Sequence, residues 1–229
     1  MSGRGGVVAS VIPAFDAAPT LGAVLAGLRA ALPHARLIVV DDGSRDATSE
    51  IARAGADETV RFAENRGKGA ALRAGFERAL AAGAERVLTV DADGQHDPAS
   101  APALLAALDE ADVVVGARAR SSTRMPLRRR LSNALSARAI SACAGCELPD
   151  SQSGFRAMRA EVLRRVRATG DRYEFETDFL IRAGREGFRI ASVPIATIYG
   201  APSHFREISD AVRVVRTIWR HRDAALRRA

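Results

Sequence analysis

Short apolar runs alternate with longer amphipathic ones through the first half of the chain, and this alternation restricts the fold more than any other feature. Runs of β type lie at Val7–Ile12, Arg36–Val40, Thr59–Phe62, Arg86–Val90 and Val113–Val115. Between them, helical periodicity covers Thr20–Leu32, Asp46–Ala54, Lys68–Ala82 and Pro98–Leu108. Strands this short and this apolar are buried on both faces, and a helix between each pair returns the chain in the same direction. The expected fold is therefore α/β, a mainly parallel sheet with helices on both sides. Later residues are less regular. Helices are expected at Leu127–Ala144, Glu161–Val166, Glu174–Arg185 and Ile208–Leu226, with a strand at Arg189–Tyr199. With 229 residues, 47% of them hydrophobic, and no internal repeat or long linker, a single domain accounts for the whole chain.

Several classes drop out early. No run of 18 apolar residues offers a membrane span, and Met1–Gly6 is too polar and glycine-rich for a signal peptide. The two cysteines, Cys143 and Cys146, form one C-x-x-C at the expected end of a helix, without the second pair a Cys₄ zinc site needs. Cytoplasmic residence is the expectation.

In a doubly wound sheet, ligands bind beyond the C-terminal strand ends. Four polar clusters fall there: Asp41-Asp42-Gly43-Ser44, Asn65-Arg66-Gly67-Lys68-Gly69, Asp91-Ala92-Asp93-Gly94-Gln95 and Gly116-Ala117-Arg118. Each alone could be an ordinary turn. Four on one edge make a site. Residues two apart on a strand point the same way, so Asp91 and Asp93 are expected to address one point. Their hard oxygens suit Mg²⁺ or Mn²⁺, with Gln95 as a further donor. Lys68 opens a helix between two glycines, where free amides favour anions. The spacing matches neither a P-loop nor a Rossmann fingerprint. His96 is expected to stabilise its turn.

The set Ile12-Pro13-Ala14-Phe15, Asp41-Asp42-Gly43-Ser44, Asn65-Arg66-Gly67-Lys68-Gly69, Asp91 through Pro98, and Ser153-Gly154-Phe155-Arg156 resembles the family 2 glycosyltransferases of GT-A fold. It is most similar to their dolichyl-phosphate mannose synthase and polyprenyl-phosphate branch, over about residues 7 to 205. The resemblance implies a nucleotide-binding half at 7–116, an acceptor half at 117–205 and a basic amphipathic helix at 206–229. It implies that Pro13 and Phe15 line the nucleotide pocket and that Asp42, with Asp41 beside it, reads base and ribose. Lys68 would stand beside the nucleotide. Asp91, Asp93 and Gln95 would hold the metal and diphosphate. Arg118 would face phosphate, Arg128 and Ser132 would grip the acceptor phosphate, and Asp150 would stand as an acid ahead of Ser153. The implied reaction is metal-dependent, inverting transfer of a mannose- or glucose-like sugar from a nucleotide-diphosphate donor to polyprenyl or dolichyl phosphate. The sequence departs from the pattern twice. Asp16-Ala17 replaces the usual Asn-Glu, which leaves the base preference open. Gly200-Ala201-Pro202-Ser203 stands in for Arg-x-x-Gly-x-Ser, leaving Arg206 or a neighbour to substitute.

Other functions compete. A hydroxyl acceptor would need a carboxylate base, for which Asp150, Glu176 and Asp178 are candidates, though Glu174, Glu176 and Asp178 equally suit the start of a helix, where the dipole favours acids. A nucleotidyltransferase would carry a basic glycine-rich motif after the first strand, and Ala14–Thr20 has none. A nucleic-acid binder would show interleaved stacking aromatics, yet aromatics make up only 5%. The formal charge of +7 is also local. Residues 118–138 hold seven arginines and no acid, so this segment accounts for the entire excess. It suits a phosphate-headed lipid at a membrane surface. Ile208, Val212, Val215 and Trp219 share a helical face, which can lie on a membrane or pack on its own domain. Peripheral membrane contact, or a membrane-embedded partner protein, would follow from the first of these.

Overall fold

The computed structural model describes residues 6–118, 140–145, 153–196, 216, 217 and 221, with the backbone alone at Arg118. Seven strands form one sheet: β1 (Val8–Ala14), β2 (Arg36–Asp41), β3 (Glu58–Arg61), β4 (Arg86–Thr89), β5 (Val113–Arg118), β6 (Arg156–Arg159) and β7 (Ile190–Ile195). The helices are α1 (Ala18–Ala31), α2 (Thr48–Gly55), α3 (Lys68–Ala81), α4 (Ala101–Ala106), α5 (Ala160–Arg165) and α6 (Glu174–Arg185). Single 3₁₀ turns at Pro98–Ser100 and Ala107–Asp109 flank α4, where one longer helix was expected.

The strand order is β3-β2-β1-β4-β6-β5-β7. All pairs are parallel except those of β6, which runs antiparallel to both β4 and β5. The expected α/β sheet is thus present, and its central strands are buried on both sides. In β1, Ala9 and Val11 face one core, and Ile12 and Ala14 the other. The first core lies under α3, α5, α6 and the helical residues 140–144; the second lies under α1, α2 and α4.

One strand falls where the sequence pattern gives none. Arg-Ala-Met-Arg is too short and too charged to read as a central strand, yet β6 lies between β4 and β5. Its alternation is real. Ala157 faces the α4 side and Met158 the α6 side, while Arg156 is buried. Because β6 runs opposite to β4, its start meets the end of β4, with Thr89 paired to Arg156.

The expected helix at 127–144 is described only over its last residues. Of the expected 208–226 helix, residues 216, 217 and 221 are described, and all three are helical. His221 is buried against α6, its Nε2 2.5 Å from Asp178 Oδ1 and its carbonyl accepting from Arg185 at 2.7 Å. At that residue the helix packs on its own domain.

Candidate active site

β1 and β4 are neighbours from which the chain winds off in opposite directions, so their C-terminal ends open a crevice at the switch point of the sheet. Pro13 is buried near the end of β1, with half-buried Phe15 just beyond the strand. Asp91 follows β4 after one residue. The strand has ended by then, and Asp93 sits in a turn with its Oδ1 accepting the Gln95 amide at 2.9 Å. The two acids are therefore brought together by a turn and not by the pleat that the sequence suggested. Thr20 of α1 closes the other side, donating to the Ala92 carbonyl at 2.6 Å.

Asp91 is wedged. Ser153-Gly154-Phe155 leads into β6, and a Cβ at Gly154 would fall inside the Asp91 carboxylate. Thr89 holds that backbone by donating to the Gly154 carbonyl at 2.9 Å. Lys68, at the start of α3, places Nζ 2.7 Å from Asp91 Oδ1 and 2.9 Å from Glu176 Oε2 of α6. Arg156, itself buried, donates to the Ser153 carbonyl at 2.8 Å and the Glu176 carbonyl at 3.1 Å, and its Nη2 stands 3.7 Å from Glu176 Oε1. A chain of alternating charges, Asp91–Lys68–Glu176–Arg156, thus runs from the crevice into the core.

The charges act on one another strongly because water is excluded. Burial alone would weaken the Lys68 ammonium, but the adjacent Asp91 and Glu176 carboxylates outweigh it and hold the lysine firmly charged. Burial likewise opposes ionisation of Asp91, and Lys68, then His96, pull its carboxyl below the usual range. Asp93 goes the other way. Burial and the negative charge of Asp91 raise it.

The second cluster shapes the crevice wall. Asp41 is fully buried, with the Ser44 amide at 2.9 Å on one oxygen and the Ser49 hydroxyl on the other. Asp42, also buried, accepts the Arg66 and Gly67 amides at 2.7 and 2.8 Å and so pins the loop that presents Lys68. Burial still raises the Asp42 carboxyl. Gly67 has φ +100° and lies against the backbone of Asp171, a position open only to glycine. Asp16 adopts φ +46°, a conformation that Asp tolerates better than most residues. Its amide donates to Ser44 Oγ and its carboxylate accepts from the Arg45 amide. Ala17 is buried in the core beside α1.

Pro13, Phe15, Asp41, Asp42, Lys68, Asp91, Asp93 and Gln95 therefore all lie at the C-terminal ends of the parallel strands or in the segments that follow them. The side chain of Arg118 and all of Arg128, Ser132, Asp150 and 200–206 lie outside the described residues. His96 is buried and packs on Phe155, ring centroids 5.5 Å apart. Asp178 is taken up by His221, the Thr169 amide at 2.7 Å and Arg182 Nε at 2.6 Å. The sequence gives Arg156 no role and offers Glu176 only as a base or as a helix-start acid. Their link to Lys68 had no local signal, since the three residues come from α6, α3 and β6.

A mixed sheet of this order gives the class of the fold, which is GT-A. Glucosyl-3-phosphoglycerate synthase from Mycobacterium tuberculosis, solved with Mn²⁺ and UDP, superposes with a TM-score of 0.73 over 95% of this chain and 80% of its own, at 22% identity. The model of glycosyl transferase family 2 matches residues 10–167, and the chain belongs to that family. It is 34% identical over 202 residues to an undecaprenyl-phosphate mannosyltransferase of Micrococcus luteus, covering 83% of each protein. It is 31% identical over 198 residues to a polyprenol monophosphomannose synthase of Mycolicibacterium smegmatis, covering 81% of this chain and 75% of that one.

Proposed function

We propose that this glycosyltransferase moves a hexose from a nucleotide-diphosphate sugar to a polyprenyl phosphate, with inversion at the anomeric carbon. The observation that carries the reading is the Asp91–Asp93 pair at the switch point, in a chain whose relatives bear the names of polyprenyl-phosphate mannosyltransferases. Residues 7–116 would serve the donor and 117–205 the acceptor. Pro13, Phe15 and the loop pinned by Asp42 would enclose the nucleoside.

Two half-buried carboxylates, the first of which makes the second harder to ionise, suit a divalent cation. Among the described residues no three His, Cys, Asp or Glu converge as a cluster, so Asp91 and Asp93 would hold the ion with Gln95 and donor oxygens. When bound, Mg²⁺ or Mn²⁺ supplies Lewis-acid stabilisation of the charge that develops on the departing diphosphate. Lys68 adds a positive charge beside it.

The acceptor phosphate oxygen would attack C1 as the C1–O bond to the diphosphate breaks, the bonding pair leaving with the nucleoside diphosphate. That oxygen is already ionised at neutral pH, so no general base is required. The described carboxylates fit this, because Glu176 is engaged by Lys68 and Arg156, and Asp178 by three donors. Arg118, Arg128 and Ser132 of the cationic segment would hold the acceptor phosphate at the cytoplasmic membrane surface. No described helix is long and apolar enough to cross a membrane.

The test is a donor screen with radiolabelled GDP- and UDP-sugars, Mg²⁺ or Mn²⁺, and undecaprenyl phosphate. Label extracted into organic solvent is the expected outcome. Label transferred only to water-soluble acceptors would overturn the lipid assignment.

A further inference from the structure

Lys68 sits between two carboxylates of different standing. Asp91 is one of the pair placed to meet a cation. Glu176 faces it from α6 and is held from behind by Arg156. Neither acid is free to move away. The carboxylate of Asp91 is confined by the backbone at Gly154. Glu176 stands on a helix whose start is locked to α3: a Cβ on Gly69 would collide with Phe175, and the Ala70 amide donates to the Asp171 carbonyl at 3.2 Å. Lysine, by contrast, carries its charge on a flexible four-carbon stem with three donors. Of the three groups, the ammonium is the one that can shift.

We propose that Glu176 is a positioning residue that keeps Lys68 from closing off Asp91. It gives the ammonium a second, fixed anchor, so that when Asp91 engages a divalent cation Lys68 stays in the crevice wall beside the donor diphosphate. The inference rests on the donor-site reading given above. Without Glu176, Lys68 and Asp91 form an exclusive buried pair, and a cation must break that pair to bind. The geometry separates this from a simple field effect. The charge of Glu176 favours a nearby cation whatever residue stands at 68, whereas positioning acts only through the lysine.

The experiment is a double-mutant cycle on the full chain with Glu176→Gln, Lys68→Met and the double variant. Bound Mn²⁺ is counted from the electron paramagnetic resonance signal of free Mn²⁺, alone and with saturating UDP or GDP. Unchanged thermal unfolding midpoints establish that each variant folds, and Glu176→Asp serves as the conservative rescue. Glu176→Gln should weaken Mn²⁺ binding by about tenfold, the size expected for a charged partner lost inside a protein. Lys68→Met alone should tighten Mn²⁺ binding in the absence of nucleotide, and in its background Glu176→Gln should change affinity less than twofold. Equal losses in both backgrounds would overturn the positioning role and leave the donor site standing. No Mn²⁺ binding by the wild type, with either nucleotide, would overturn both.

Discussion

Gly154 shows how a single residue sets the geometry of this crevice. Its lack of a side chain lets the Asp91 carboxylate rest against the β6 entry, which no other residue would allow. Gly154→Ala must push either the acid or the strand aside. It should cost about 1–3 kcal/mol in urea unfolding and lose most transfer activity, because either shift disturbs the seat of Asp91. Asp93 makes the complementary case. It accepts one backbone amide, and burial together with Asp91 makes it hard to ionise. Removing its charge relieves the fold while depriving the donor site of an oxygen ligand. Asp93→Ala should keep or slightly raise the melting temperature and lower kcat/KM for transfer by about three orders of magnitude or more. A folded variant with near wild-type transfer would dismiss the metal assignment. Both residues were found in the sequence, Asp93 by its pairing and Gly154 by its motif. The contact between Gly154 and Asp91 was not, because 63 positions separate them along the chain.

At the scale of elements, α6 joins the crevice to the C-terminal segment. Buried on more than one side, it carries Glu176 toward Lys68 and Asp178 toward His221, one helix turn holding both. Burial alone would raise the Asp178 carboxyl, but hydrogen bonds from His221, the Thr169 amide and Arg182 overcome it and hold the group below its usual range. A depressed folded value stabilises the ionised form, so this contribution is full above the unfolded carboxylate pKa of about 3.9. It falls away as the pH drops through the lower folded value. Asp178→Asn should therefore be less stable than wild type at neutral pH, and the margin should narrow below about pH 4. Urea unfolding at a series of pH values reads this directly. A margin that did not narrow below about pH 4 would mean that these donors do not hold Asp178 ionised in the fold. Periodicity placed α6 correctly at Glu174–Arg185. It left open what its acids do, since acids in a first helical turn are favourable near the positive end of any helix.

For the whole molecule, the order of the sheet has consequences that no segment carries alone. Strands β1 to β5 come from the first 118 residues, yet β4 and β5 do not touch as strands; β6, from beyond residue 150, fills the space between them. A fragment ending at residue 118 would keep every element that the alternating pattern made legible. It would still leave β5 without a partner strand and one edge of β4 unpaired, and would lose the α6 side of one core. Such a fragment should show little tertiary dispersion in its NMR spectrum and no slowly exchanging amides in β5, whereas a native-like spectrum would contradict the interlocked sheet. The fragment would also lack Arg156, Glu176 and Gly154, and with them the means to fix Lys68 and Asp91.

The sequence by itself determined the α/β class, the strand-end position of the polar loops and, through its five motifs, the glycosyltransferase family. Each of these follows from local patterns: periodicity of two against 3.6, turn residues at fixed offsets, and acids directly after an apolar run. Tertiary structure alone decided the antiparallel insertion of β6, the wedging of Asp91 by Gly154 and the charge chain from Lys68 to Arg156. Those depend on groups far apart in the chain meeting in a space closed to water. There an ion is tolerated only beside its counter-ion, and a carboxylate fits only where a side chain is missing.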